Sequence, residues 1–162
     1  MSTTLLWFFF IPYARRMGIF LPKVINMHIR LIKNTDTSET LAYQIARIVF
    51  AETGASSLLG VEALTSMIKN LSNATCMSFT DIIKDKSLFE SLNVESVRHA
   101  RLREPANSRR FQMCVRVVHR MLSGGLDDKC YGAVRFHHAD CIPSWATSRG
   151  YIADIDNMLF YL

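Results

Sequence analysis

The chain has no apolar run long enough to cross a bilayer as a helix, which takes roughly 20 residues. Its longest candidate, TLLWFFFIPYA from Thr4 to Ala14, has about the length of a signal-peptide core. No positive stretch precedes that run, Arg15 and Arg16 follow it, and no small-x-small cleavage pattern is evident. Residues 1–34 are therefore read as an extension outside the main fold: an atypical export signal, an interfacial anchor, or a start placed too early, with Met17 and Met27 in frame. The last of these is preferred.

Other absences narrow the function. No period of roughly 20–50 residues recurs, which removes solenoids and propellers. No Gly/Ser linker or low-complexity tract divides the chain, so residues 35–162 are expected to form one domain. No P-loop, G-x-G-x-x-G or G-x-S-x-G pattern occurs, so nucleotide-binding and esterase readings have no foothold. The four cysteines, Cys76, Cys114, Cys130 and Cys141, contain no Cys-x-x-Cys pair, which leaves zinc-ribbon and thioredoxin readings without support. Cys130, Cys141, His119 and either His137 or His138 match no common zinc spacing, so no metal and no cofactor is expected. The cysteines permit two disulfides in an oxidising envelope and four buried thiols equally well.

What is present is a basic chain with a hydrophobic fraction of 49% and a formal charge of +5. Such a charge favours anionic partners, whether nucleic acid, lipid or cell wall. The densest basic stretch runs from Arg98 to Arg110. It reads either as a solvated helix-and-loop face or as a binding stripe.

Apolar residues at 41, 45, 48 and 49, then Phe50 and Ala51, make one helical face, stopped by Gly54, with Thr37 or Ser38 as its cap. Leu59, Ala63, Leu64, Met67 and Ile68 predict a second helix, capped by Ser56 or Ser57. A short helix begins at Ser78, and residues 88–106 read as loop with a short helix. From Ser108, the positions of Phe111, Cys114, Val115, Val118, Met121 and Leu122 predict a further helix, halted by Gly124 and Gly125. Residues 132–138 look extended, Pro143 marks a turn, and residues 158–162 read as a terminal strand. Helices first and a small antiparallel strand pair last argue for an α+β, mostly helical, single domain.

Glu52 closes the first apolar helix, directly after Val49-Phe50-Ala51. Burial disfavours the charged form of a carboxyl, which suits a general acid near neutral pH. By position alone, a helix-end glutamate in water is the simpler account.

The surrounding sequence changes that balance. Residues 45–70, IARIVFAETGASSLLGVEALTSMIKN, resemble the opening of SleB-type cell-wall hydrolases, whose pattern runs roughly L-A-R-x-(I/V)-x-x-E-A-R-G-E-x-x-x-G-x-x-A-V-A-x-V-I-x-N-R. Glu52 falls on the family's catalytic glutamate, with Gly60, Ala63, Ile68 and Asn70 in register. Gly132-Ala133, residues 136–140, Pro143, Trp145-Ala146 and Leu159-Phe160-Tyr161 resemble the family's G-A-x-x-Y-H-A…P-x-W-A…I-G-x-H-x-F-Y ending. The chain departs from the pattern at Gly54, Ser56, residues 88–91 and residues 156–158.

The resemblance implies a lysozyme-like fold and cleavage of peptidoglycan between N-acetylmuramic acid and N-acetylglucosamine. It implies a monomer that acts in the cell envelope or periplasm, or is secreted. Most glycosidases need two carboxylates, whereas a lytic transglycosylase needs one. Its glutamate protonates the leaving oxygen, then takes the proton of the C6 hydroxyl as that oxygen attacks C1. One well-placed Glu52 suits that mechanism, and Glu62, ten places on, has no evident route to the same site. Phe136, His137, His138, Trp145 and Tyr161 are the expected sugar-binding residues, through aromatic faces and imidazole or phenol hydrogen bonds. On an extended segment His137 and His138 point to opposite faces, so one at most is expected to face the groove. Trp145 and Phe160 read equally well as simple core. The competing class is a non-enzymatic basic module that binds nucleic acid or a protein partner through Arg98–Arg110.

Overall fold

The computed structural model describes residues 40–148 and 150–162; the expected extension over residues 1–34 lies outside them. Helix α1 (Leu41–Thr53) is buried along almost its whole length, with only Leu41, Gln44 and Arg47 reaching solvent. It stops where Gly54 adopts a left-handed φ of 60° and its N–H donates to the Phe50 carbonyl at 2.7 Å. The helix begins after Thr40, and the expected caps Thr37 and Ser38 lie outside the described residues. Helix α2 (Leu58–Thr75) starts at Ser57, whose hydroxyl accepts the Gly60 N–H at 3.0 Å. A four-residue helix α3 (Phe79–Ile82) is capped by Ser78, and α4 (Arg109–Leu122) by Ser108.

Helices α1, α2 and α4 pack pairwise around a single core. Phe111 of α4 fills its centre, with ring contacts to Tyr43 at 5.7 Å and Phe50 at 6.1 Å. Fully burying such a side chain is worth about 1.5–3 kcal/mol. The Arg47 guanidinium lies 4.3 Å over the Phe111 ring and donates to the carbonyls of Leu102 and Glu104. One arginine thereby ties the following loop to the helical core.

The C-terminal sheet has three antiparallel strands in the order β1-β3-β2: β1 (Arg135–His138), β2 (Ala153–Ile155) and β3 (Met158–Tyr161). The expected pair, β1 with β3, is present, with Phe136 opposite Phe160. A third strand joins it through a two-residue turn at Asp156 and Asn157, both with positive φ (53° and 59°). Primed hairpin turns demand that conformation, and Asp and Asn tolerate it better than most residues.

The same turn anchors the sheet to α2. Asp156 accepts from the hydroxyls of Ser56 (3.1 Å) and Ser57 (2.6 Å). A carboxylate there also meets the positive end of the helix dipole. Gly60 makes room for it: a Cβ at that position would stand 2.2 Å from Asp156 Oδ2.

Asn70, near the other end of α2, secures the approach to β1. Its amide donates to Asp128 Oδ2 (3.3 Å) and to the Ala133 carbonyl (3.3 Å). Burial alone would raise the Asp128 carboxyl. The opposing hydrogen bonds from Cys130, Gly132 and Asn70 prevail and hold it below the usual carboxylate value.

The loop from 88 to 106 contains two 3-10 turns, Glu90–Leu92 and His99–Arg103, and hangs from buried Phe89. Among the described residues, no helix is long and apolar enough to cross a membrane. All four cysteines are free thiols: Cys114 and Cys130 buried, Cys76 and Cys141 exposed. Burial pushes the Cys114 thiol up to about 12 and raises that of Cys130 further, with the neighbouring Asp128 adding to the second shift.

Candidate acid–base site

Glu52 is carried by the last turn of α1 into the space between the 88–106 loop and β1. Its side chain has no solvent exposure. Both oxygens are occupied: Oε1 accepts the Ser91 backbone N–H at 2.7 Å, and Oε2 lies 2.7 Å from His138 Nε2. A carboxylate and an imidazole at this distance are joined by a direct hydrogen bond.

His138 is reached because β1 runs inward, from exposed Arg135 to buried His138. Its ring packs edge-on against Phe136 at 5.4 Å, two residues back on the same strand face. Phe136 in turn contacts Phe89 and Phe160. The residues that aim His138 at Glu52 are therefore core aromatics.

A cavity of about 210 Å³ opens in front of the pair. Lys86, Ser87, Leu88, Glu90 and Asn93 form one wall. Phe136, His137, His138, Cys141, Pro143 and Trp145 form the other. Of the expected sugar-binding residues, Phe136, His137, His138 and Trp145 come together on this wall. Tyr161 is placed one layer back: its hydroxyl is 2.8 Å from His137 Nε2 and its ring stacks on that imidazole at 5.3 Å.

The expectation that only one histidine would face the groove is corrected, since both line it. They do sit on opposite strand faces, but Trp145 covers the second face and packs on His137 at 5.7 Å. The strand end thus presents both rings to one mouth. His137 Nδ1 pairs with the His138 carbonyl at 2.8 Å, which fixes its ring from the other side. Of the two aromatics that read equally well as core, Phe160 is fully buried, whereas Trp145 is half-buried and lines the cavity.

Glu52 itself is not part of the cavity lining; His138 stands between them. Glu62 lies elsewhere, paired with Arg120 at 2.7 Å across α2 and α4.

Three contributors have no sequence signal of their own. Ser91 supplies the backbone N–H to Glu52, while its hydroxyl is buried without a hydrogen-bond partner. Glu90 puts a carboxylate on the cavity wall itself. Arg98 neutralises Glu90 at 2.6 Å and also grips both Asp140 oxygens, at 2.9 and 3.0 Å. It joins the loop wall to the segment after β1. The guanidinium beside Asp140 holds its carboxyl below the usual range. Residues 88–91 do stand out as a departure from the family pattern, but no periodicity foretells which of their atoms meets Glu52.

No family model, curated protein or solved structure matches this chain. Among the described residues, no group of three or more His, Cys, Asp or Glu side chains is arranged to hold a metal ion.

Proposed function

We propose that the chain cleaves peptidoglycan glycan strands between N-acetylmuramic acid and N-acetylglucosamine, as a lytic transglycosylase with Glu52 as its acid/base carboxyl. The observation that carries this reading is the Glu52–His138 pair: a wholly buried carboxyl bonded to an imidazole on the wall of an aromatic-sided cavity. Burial, fixed geometry and an adjoining groove are what proton transfer to a leaving oxygen requires. The resemblance of residues 45–70 and 132–161 to SleB-type hydrolases, with the lysozyme-like fold it implies, points the same way.

The single-carboxylate mechanism is favoured by the state of Glu90. Among the described residues it is the one carboxylate that lines the cavity, and it is committed to Arg98 and to the Ser96 hydroxyl at 3.0 Å. A carboxylate so neutralised is a poor nucleophile or base. The C6 hydroxyl of the sugar then takes the place of water, and an anhydro-muramyl end results.

Trp145 and Phe136 offer faces for sugar C–H surfaces, and Lys86 offers a cation to an anionic wall polymer. Action as a monomer, in the envelope or outside the cell, belongs to the same proposal.

The alternative, a basic module for nucleic acid or a protein partner, is weakened at two of its five arginines, while Arg103, Arg109 and Arg110 are exposed. Arg98 is ion-paired with Glu90 and Asp140, and Arg101 donates to the Ala51 carbonyl at 3.3 Å. Digestion of purified sacculi tests the proposal: muropeptide release with anhydro-muramyl ends supports it. Inert sacculi beside salt-sensitive polyanion binding would favour the module.

A further inference from the structure

We propose that His138 Nδ1 is the atom that gives the proton to the glycosidic oxygen and takes it back from the C6 hydroxyl, with Glu52 as the proton store behind it. This rests on the reading of the site as glycan-cleaving and changes which residue touches the sugar. The argument is one of access. Glu52 has a side chain with no exposure, both oxygens bonded and no share in the cavity lining. A glycosidic oxygen in the cavity therefore meets His138 first.

His138 has the second nitrogen that such a role needs. Nε2 faces Glu52. Nδ1 has no hydrogen-bond partner among the described residues, and it is absent from the fully buried unpartnered atoms, of which Ser91 Oγ is the sole case among them. The neighbouring imidazole lacks this freedom: both nitrogens of His137 are taken, by the His138 carbonyl and the Tyr161 hydroxyl. Two histidines stand on one wall, and only one has a nitrogen to spare.

The proton balance closes without another reactant. Before reaction the pair holds one proton between Glu52 Oε2 and His138 Nε2, and a second on Nδ1. As the C1–O bond breaks, the Nδ1 proton passes to the departing oxygen and the shared proton settles on Nε2, leaving Glu52 anionic. The C6 hydroxyl oxygen then bonds to C1 and its proton moves to Nδ1, while the Nε2 proton returns to its shared position. The enzyme is restored, and the products are a free hydroxyl and an anhydro sugar.

The test uses the full chain on purified sacculi with four proteins: wild type, Glu52→Gln, His138→Gln and His138→Ala. Glutamine at 138 preserves a donor toward Glu52 but cannot relay a proton, so it keeps the test alive if the alanine variant fails to fold. His138→Gln is expected to fall by ~10²–10⁴-fold, as general acid–base variants do. His138→Ala should recover at least about tenfold with added imidazole, and across substituted imidazoles the rescued rate should follow ring basicity, as a proton-transfer role requires. A folded His138→Gln protein within about tenfold of wild type, beside an inactive Glu52→Gln, would overturn the proposal and leave Glu52 as the direct donor. Rescue that ignores ring basicity would also overturn it, making His138 a positioning residue. No cleavage by folded wild type removes the glycan-cleaving reading itself and this proposal with it.

Discussion

The two walls of the acid–base site are held by different forces. Glu52 stands on a helix locked by apolar packing, where Ile45, Ala46, Val49 and Ala51 have no measurable exposure. The facing loop, from Lys86 to Arg103, has a single fully buried apolar anchor, Phe89. Polar ties do the rest: Ser91 N–H to Glu52, His99 Nδ1 to the Ser91 carbonyl, Arg98 to Glu90 and Asp140, and Arg47 to the Leu102 and Glu104 carbonyls. Apolar packing in the folded chain depends far less on pH and salt than ion pairs do. Ion pairs near the surface are worth about 0–1 kcal/mol and weaken with salt. The carboxyl is thus on the rigid side, and the facing loop is the adjustable one.

That contrast breaks most visibly at Phe111. Its replacement by Ala should cost about 3–5 kcal/mol of global stability, measured by urea unfolding. A loss below about 1 kcal/mol would mean that the helical half is not the rigid partner described.

Gly60 sharpens the contrast at the junction of helix and sheet. A Cβ there collides with Asp156 Oδ2, so Gly60→Ala should cost about 1–3 kcal/mol by displacing the hairpin turn. The pairing of Asp156 with Gly60 predicts that Asp156→Gly relieves most of the loss in the double variant. Additive losses would contradict the close approach.

On the loop side the effects are smaller and local. Arg98→Ala should change global stability by no more than about 1 kcal/mol while amide exchange quickens across the 88–98 loop. Equal quickening along α1 would erase the distinction between the walls.

Acid separates the polar ties from the packing. Asp128 and Asp140 both titrate lower in the folded chain than an ordinary carboxylate. Each therefore adds stability that is present above the unfolded value, about 3.9, and disappears as pH falls through the lower folded value. Thermal melts from neutral pH downward should show a decline confined to the acid side, flattened in Asp128→Asn. In Arg98→Ala, the share owed to Asp140 should vanish.

Much of the rigid side was legible in the sequence. The period of apolar residues marks α1, α2 and α4, while Ser56 or Ser57, Ser78 and Ser108 mark the starts of α2, α3 and α4, because burial and capping are local rules. Glu52 stood out through the family resemblance; its place after Val49-Phe50-Ala51 alone favoured a solvated helix-end glutamate, whereas its side chain is wholly buried. The adjustable side was not legible. The Glu52–His138 bond joins residues 86 positions apart, and Arg98 meets Asp140 across 42. No local rule encodes such pairs. β2 escaped because three residues, Ala153–Ile155, are too few to display alternation. Both histidines lining one cavity escaped because the cover over His137 comes from Trp145, in a separate 3-10 turn (Ser144–Ser148).

The central claim, that Glu52 is the acid/base carboxyl of a glycan-cleaving site, is tested most directly by mass spectrometry of sacculi digested with wild type and with Glu52→Gln. Gln keeps the shape and can still bond to His138 and Ser91, but it cannot hold the catalytic proton. The account predicts anhydro-muramyl products from wild type, lighter by one water than hydrolytic ones, and a fall of ~10²–10⁴-fold or more in the folded variant. Undiminished cleavage by folded Glu52→Gln would contradict it.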